Sequence, residues 1–321
     1  MRKTWKKVIS TALVGTMAAA MLVGCGKDKG SESGYKIGVI QLTEHAALDA
    51  ANKGFIDGLD EAGIEYTVDQ QNAQNDQNTC DTIATKLVNA NNDLILAIAT
   101  PAAQAVAGKT EDIPILVTAV TDPASADLVD SNEKPGTNVS GTSDLTPVKE
   151  QVELLQKLLP DAKTVGLLWC TAETNSKFQI DIAKEELKKA GLEYKDYTVS
   201  SSNEIQTVVE SMIGKVDVIY APTDNTIAAG MPTVAMVANE NKIPTICGEE
   251  GMVEAGGLAT YGIDYYNLGK LTAKQAVAIL KGEKKVSEMP IEYLTAEECE
   301  LKINEETAKT LGITIPDDLK K

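Results

Sequence analysis

A single histidine, His45, limits the chemistry open to this 321-residue chain. It lies in Gln41-Leu-Thr-Glu-His45, and no Gly-x-Ser-x-Gly context surrounds it. A Ser-His-Asp triad elsewhere or a His-rich zinc site is therefore disfavoured. Gly-rich phosphate loops are missing after the first apolar run. Acids are plentiful, so paired carboxylates for glycoside chemistry stay open on composition alone. What the chain does offer is a set of short polar runs directly behind apolar ones. They are Ala99-Thr-Pro101, Ala119-Val-Thr-Asp-Pro123, Cys170-Thr-Ala-Glu-Thr-Asn-Ser176 and Ala221-Pro-Thr-Asp-Asn-Thr226, followed by Gly248-Glu-Glu250 and Tyr261-Gly-Ile-Asp264. Such side chains hydrogen-bond a small polar ligand, although each alone also reads as an ordinary helix cap.

A zwitterionic amino acid tests that chemistry. Its carboxylate calls for backbone N–H groups at a helix start together with hydroxyls, and its ammonium calls for a carboxylate in a dry site. Thr100 ahead of Pro101, Thr121, Thr142 and Ser143 offer the first; Asp224, Glu173 and Asp264 offer the second. Gln41, His45, Asp122, Asn175, Asn225 and Thr226 complete the candidate ligand-binding set. His45 reads equally as a loop or helix-cap histidine. A sugar or nucleoside is the rival ligand. Sugar sites favour flat aromatic faces, and aromatics make up only 4% of the chain. Trp169 is one platform, whereas Phe55 and Phe178 fall on helical spacing and read as core. No catalytic residue, metal or cofactor is expected.

Elements that position these residues follow from periodicity. Strand-like runs at 36–41, 65–71, 93–99 and 113–119 alternate with helical runs at 48–62, 76–90 and 101–108. The pattern restarts after Gly141: helix 147–159, strand 164–169, helix 175–190, strand 194–199, helix 203–215, strand 216–221. This β-α-β order predicts parallel sheets with helices on both faces. Two internal echoes point to two similar lobes. Glu61-Ala-Gly-Ile-Glu-Tyr66 matches Lys189-Ala-Gly-Leu-Glu-Tyr194, and Asp93-Leu-Ile-Leu-Ala-Ile-Ala-Thr-Pro101 matches Asp217-Val-Ile-Tyr-Ala-Pro222. Open parallel sheets bind ligands beyond the carboxyl ends of their strands. Two facing lobes would thus line a cleft with the polar runs above.

The amino terminus reads as an address. Arg2, Lys3, Lys6 and Lys7 precede the uncharged run Val8 to Val23, the pattern of a secretory signal peptide. Sixteen residues are short for ~30 Å of hydrocarbon. Leu22-Val-Gly-Cys25 resembles a lipoprotein cleavage box, so residues 1–24 are expected to be removed and Cys25 lipidated. The Gly, Ser and charge that follow make 25–34 a tether. The formal charge is −17; loss of the leader leaves 26 basic against 47 acidic residues, a formal −21. That charge argues against a nucleic-acid partner and against electrostatic adhesion to anionic lipid. Cys80, Cys170, Cys247 and Cys299 form no C-x-x-C pair and are read as free thiols.

Gly38-Val-Ile-Gln41, Glu44-His-Ala-Ala-Leu-Asp-Ala50 and Gly54-Phe55 resemble the opening of one family of ABC-transporter substrate-binding proteins, which includes binders of tryptophan and tyrosine. Val120-Thr-Asp-Pro123, Ser140-Gly-Thr-Ser143, Pro222-Thr-Asp-Asn-Thr226 and Ala259-Thr-Tyr-Gly-Ile-Asp-Tyr-Tyr266 fit as well, so the likeness runs from about residue 36 to 321. One departure is Glu44-His-Ala46 where Glu-His-Pro is commoner, which loosens that loop. The resemblance implies the type I periplasmic-binding-protein fold, with two Rossmann-like lobes joined by three crossings. The lobes would be 35–143 plus 265–292, and 144–264 plus 293–321. It further implies a monomeric, extracytoplasmic, lipid-anchored binder that hands an aromatic amino acid to an ABC permease and its ATPase. A sugar or nucleoside importer component, or a surface receptor or adhesin on the same fold, is the alternative.

Overall fold

The computed structural model describes residues 34–294 and 298–320; the leader 1–24, Cys25 and the tether up to residue 33 lie outside the described residues. Two six-stranded sheets lie in one folded unit. The first contains β1 (Tyr35–Gln41), β2 (Tyr66–Asn72), β3 (Leu94–Ile98), β4 (Ile115–Val120), β5 (Val139–Ser143) and, from near the end of the chain, β11 (Glu292–Tyr293). Its order is β11-β5-β4-β3-β1-β2, and every pair is parallel. The second contains β6 (Thr164–Cys170), β7 (Glu193–Val199), β8 (Val218–Ala221), β9 (Thr245–Cys247), β10 (Ala259–Ile263) and β12 (Cys299–Ile303). Its order is β12-β10-β9-β8-β6-β7. Here the expectation of purely parallel sheets needs one correction, because β12 returns antiparallel to β10, with Ala259 opposite Ile303.

Both sheets place their first five strands in the same relative order, which is the architecture that the two sequence echoes encode. Gly63 and Gly191 each stop a helix at positive φ (+66° and +75°) before the second strand of their sheet, where a left-handed residue suits glycine. Asp93 and Asp217 also act alike. The Asp93 carboxylate accepts from Lys36 N (2.8 Å), and the Asp217 carboxylate accepts from Thr164 N (2.8 Å), tying the third strand of each sheet to the start of the first. Strands buried on both faces feed two cores. Along β8, Val218 and Tyr220 enter one apolar cluster, while Ile219 and Ala221 enter the other.

The first sheet is flanked by α1 (Ala46–Glu61), α2 (Gln77–Asn89), α3 (Thr100–Ala107) and α10 (Tyr265–Leu280). The second is flanked by α4 (Val148–Leu158), α5 (Thr174–Lys189), α6 (Ile205–Met212), α7 (Asn225–Ala229), α8 (Met231–Glu240), α9 (Glu250–Glu254) and α11 (Glu305–Leu311). The chain passes between the sheets at residues 144–147 and at Asp264, and β11 of the first sheet is followed in sequence by β12 of the second. Two elements depart from the sequence reading. The helix expected over 203–215 is a 3-10 turn (Ser202–Glu204) plus the shorter α6, and Gly214 then turns at φ +71°. β5, Val-Ser-Gly-Thr-Ser, has too few apolar residues to read as a strand but is fully buried. A Cβ at Gly141 (φ +141°) would lie 2.1 Å from the Val117 carbonyl oxygen, so glycine is required for that close pairing.

Candidate functional site

Strand ends of both sheets converge on a small enclosed cavity of about 10 Å³. That is room for about one water centre and far less than an aromatic side chain needs, so the lobes are shut over it. His45 and Leu48 approach from the start of α1, and Ala119 and Thr121 from the end of β4. Asn175, Thr223, Asp224, Asn225 and Ala228 approach from the second lobe. The crossings contribute Asp144 and Tyr265, and Glu249 arrives ahead of α9. None of these lining residues is Lys or Arg. Ala119 has φ +54° next to a register shift between β4 and β5, and Ala99 has φ +81° at the end of β3. Left-handed alanines are strained and concentrate at functional sites.

The shut form is held by hydrogen bonds across the cleft. His45 Nε2 donates to Asn225 Oδ1 (3.3 Å), Asn75 Nδ2 donates to Thr226 Oγ1 (2.9 Å), and Gln179 Nε2 donates to Thr121 Oγ1 (3.2 Å). Within the second lobe Glu173 is saturated. Its Oε1 accepts from Thr226 N (2.8 Å) and Thr226 Oγ1 (2.9 Å), and its Oε2 accepts from Asn225 N (3.1 Å) and Asn225 Nδ2 (2.6 Å). Asp224 caps α7, with one oxygen on Ile227 N (2.8 Å) and the other on Cys170 N (2.6 Å). Tyr265 Oη donates to Asp144 Oδ2 (2.8 Å), linking two of the three crossings at the cavity wall.

Three buried acceptors of the lining have no partner: His45 Nδ1, Asp144 Oδ1 and Asn175 Oδ1. Carboxylates crowd the same space. Burial pushes Asp144 up to about 6 and Glu249 up to about 7; burial and the Glu173 charge hold Asp224 well above the usual carboxylate range. Burial also holds His45 below its ordinary value, which keeps the imidazole neutral. Acceptors and acids without a cation make a site built for a donor that carries positive charge.

This has a consequence for stability. Between about pH 4 and pH 7 the folded chain keeps protons on Asp144 and Glu249 that the unfolded chain has released. Their contribution is therefore complete below the unfolded carboxylate range and is lost as pH rises through about 6 to 7. The ligand-free melting temperature should fall across that window, and Glu249→Gln should flatten the fall. Melting curves at closely spaced pH values check this; an equal slope in wild type and variant would refute it.

Not every expected residue meets at the cavity. His45, Thr121, Asn175, Asp224 and Asn225 line it, and Thr226 and Glu173 stand directly behind. Thr100 is buried at the end of β3, between the ends of β1 and β4, and its hydroxyl has no partner. Gln41 is turned to a separate surface groove, where it donates to Thr43 O (2.8 Å) and Asp49 Oδ1 (2.6 Å). Asp122 closes a turn on Ser125 N (2.6 Å) and Asn132 Nδ2 (2.8 Å). Ser143 donates to Thr121 O (2.6 Å) at the crossing, and Asp264 caps α10 in an open groove outside the cavity. Trp169 is half-buried and donates to Asp196 on β7 (3.2 Å), so the cavity lacks this aromatic platform. Phe55 is core as expected, whereas Phe178 is only half-buried. Cys80, Cys170 and Cys247 are buried free thiols.

Asp144, Thr223, Glu249 and Tyr265 are the polar lining residues that the candidate set left out, beside the apolar Leu48, Ala119 and Ala228. Asp144 directly follows Ser143 at a crossing, and Glu249 lies in a polar run already recognised. The signal at Asp144 was an acid beside a lobe crossing, where cleft walls are made.

Known proteins agree with this architecture. The tyrosine-binding protein of Clostridioides difficile (strain R20291) is 45% identical over 96% of this chain and 93% of its own. A structure from Streptococcus pneumonia, an ABC domain in complex with L-Trp, is 43% identical with a TM-score of 0.86, covering 89% of this chain and 97% of that one. The ligand-free, open structure of a Clostridium difficile substrate-binding protein with adhesive properties is 46% identical, yet its TM-score is 0.67, covering 88% and 97%. Sequence distance does not explain that gap. The weaker overlay with an open relative agrees with the shut cleft seen here. The type I periplasmic-binding-protein fold is the one these relatives share. With its family model matching residues 36–321, the chain belongs to the ABC transporter substrate-binding proteins, a family of extracytoplasmic solute binders.

Proposed function

We propose that this protein captures an amino acid, an aromatic one such as tyrosine, tryptophan or phenylalanine, and delivers it to an ABC permease driven by its ATPase. The observation that carries the reading is the set of three unpartnered buried acceptors in the cavity lining, His45 Nδ1 from the first lobe, Asn175 Oδ1 from the second and Asp144 Oδ1 from a crossing, with no cation among the lining residues. A primary ammonium has three N–H donors and one positive charge, which suits that lining. The only arginine in the sequence is Arg2, so no guanidinium clamps the carboxylate. Thr121 brings a hydroxyl to the cavity lining for it. The tyrosine and L-Trp of the relatives favour an aromatic side chain, which would displace the shut lobes rather than fill the present cavity.

In this reading the lobes comprise 35–143 plus 265–292 and 144–264 plus 293–321, and the protein is a monomer held outside the cytoplasm by lipid on Cys25. Among the described residues no helix is long and apolar enough to cross a membrane. Ligand contacts to both lobes favour the closed form, and that form docks on the permease. Nothing in the arrangement calls for catalysis. A role as a surface adhesin is the second reading, favoured by the adhesive properties of the Clostridium difficile relative.

A thermal-shift screen of residues 26–321 against the common amino acids and a sugar panel tests the proposal. A ligand at about a hundred times its Kd adds ~2.7 kcal/mol. Response to tyrosine, tryptophan or phenylalanine is expected; response to sugars or nucleosides alone would overturn the amino-acid reading.

A further inference from the structure

Glu173 is poorly suited to meet a ligand, since both its oxygens are already spent on Asn225 and Thr226. Those bonds give direction to everything beyond them. The Thr226 hydroxyl has one proton and donates it to Glu173 Oε1, so towards the first lobe it can only accept, and Asn75 Nδ2 donates to it at 2.9 Å. The Asn225 amide group donates to Glu173 Oε2, so its carbonyl oxygen faces His45. The imidazole must then carry its proton on Nε2, which leaves Nδ1 as the bare acceptor on the cavity wall.

We infer that Glu173 is a positioning residue, the organiser of a clasp in which Asn225 and Thr226 close on His45 and Asn75 and set the histidine tautomer that the ligand meets.

Asn75 is placed for this role before the lobes meet. It and Gln74 both have left-handed backbones, φ +59° and +54°. Gln74 N donates to Asn72 Oδ1 (2.7 Å) and Asn75 N to Leu42 O (2.8 Å), so bonds within the first lobe hold the strained turn. Asn75 does not line the cavity. Its hydrogen bond thus contributes to the closed form without touching a ligand, and its loss should act on release rather than on capture. The inference rests on the capture reading for its ligand arm only, since the tautomer and the closed population exist without ligand.

The chain's single histidine makes the test clean. Protein labelled with ¹⁵N-histidine gives one imidazole, and in wild type its two nitrogen resonances should report the neutral Nε2–H tautomer. Glu173→Gln, which offers an amide donor in place of one acceptor oxygen, should shift the ring towards the Nδ1–H form. Asn75→Ala keeps Glu173 intact. It should leave the tautomer unchanged, lower the melting temperature modestly because alanine suits the left-handed backbone less well, lower the closed fraction in small-angle scattering, and raise the dissociation rate of L-tyrosine or L-tryptophan about three- to tenfold, with association within about twofold. Asn75→Asp, which sets a second carboxylate towards Glu173, should open the lobes further than alanine does. An Nδ1–H tautomer in wild type, or an unchanged closed fraction in both Asn75 variants, overturns the clasp. An altered ranking among tyrosine, tryptophan and phenylalanine in Asn75→Ala would make Asn75 a ligand contact and overturn it equally. If no amino acid binds wild type, the capture reading fails, while the tautomer and scattering arms still decide the clasp.

Discussion

Asp144→Asn weakens amino-acid binding by about 100-fold or more, the largest loss expected of any single change in the cavity. Removing one member of a buried, hydrogen-bonded charge pair costs about 2–5 kcal/mol, and the ligand ammonium is left facing an amide donor instead of an acceptor. Asparagine is nearly isosteric, and its carbonyl can still accept from Tyr265 Oη, which holds the two crossings together. The ligand-free protein should respond in the opposite sense. Asp144 is buried, feels the Glu173 charge, and has no cationic partner on the cavity wall, so neutralising it raises the melting temperature. Calorimetric titration with the responding amino acid, paired with a melt of the ligand-free variant, separates the two effects. Unchanged affinity would move the ammonium away from Asp144.

Gly269→Ala destabilises the fold by about 3 kcal/mol, a fall of roughly 5–10 °C in melting temperature. The sign is diagnostic, because in an open helix interior the same exchange would stabilise by about 0.5–1 kcal/mol. Here a Cβ at 269 would lie 2.0 Å from the Ala51 carbonyl oxygen, and one at Gly54 would lie 2.0 Å from the Tyr266 carbonyl oxygen. These are backbone atoms of the partner helix, so relief requires α1 and α10 to separate. His45 caps α1 and Tyr265 begins α10, so a helix pair forced apart also spoils the cavity wall. Thermal unfolding followed by circular dichroism measures the first effect, and titration of the surviving folded protein measures the second. A melting temperature at or above that of wild type would show that the helices give way freely.

Local chemistry made much of this legible in advance. Asp93 and Asp217 stand at equivalent places in two similar strings, and each bridges the third strand of its sheet to the first, because a repeated fold repeats its start signals. Thr121, Asp224 and Asn225 reach the cavity because they sit on strand-end loops, the part of an open sheet that lines such clefts. Gln41 obeys the same rule of position but is claimed by its neighbours Asp49 and Asn52. Ser143 and Asp122 are likewise spent on the backbone of their own turns. A polar residue at a strand end has several acceptors within reach, and sequence spacing does not say which one wins.

The sequence by itself determined the two-lobed α/β plan, the family, the likeness to a lipoprotein leader, and the acidic, arginine-poor character of what lies beyond it. These depend on periodicity, glycine stops and composition, all of them properties of neighbours along the chain. Only the tertiary structure decided which acids matter. Asp144, Glu249 and Tyr265 come from three separate crossings and caps, far apart in number, and gain their chemistry from burial at one point. Glu173 changed from a ligand candidate to an organiser for the same reason. What a carboxylate does follows from the donors packed around it, and those are supplied by residues some fifty positions away that meet only when the second lobe has folded.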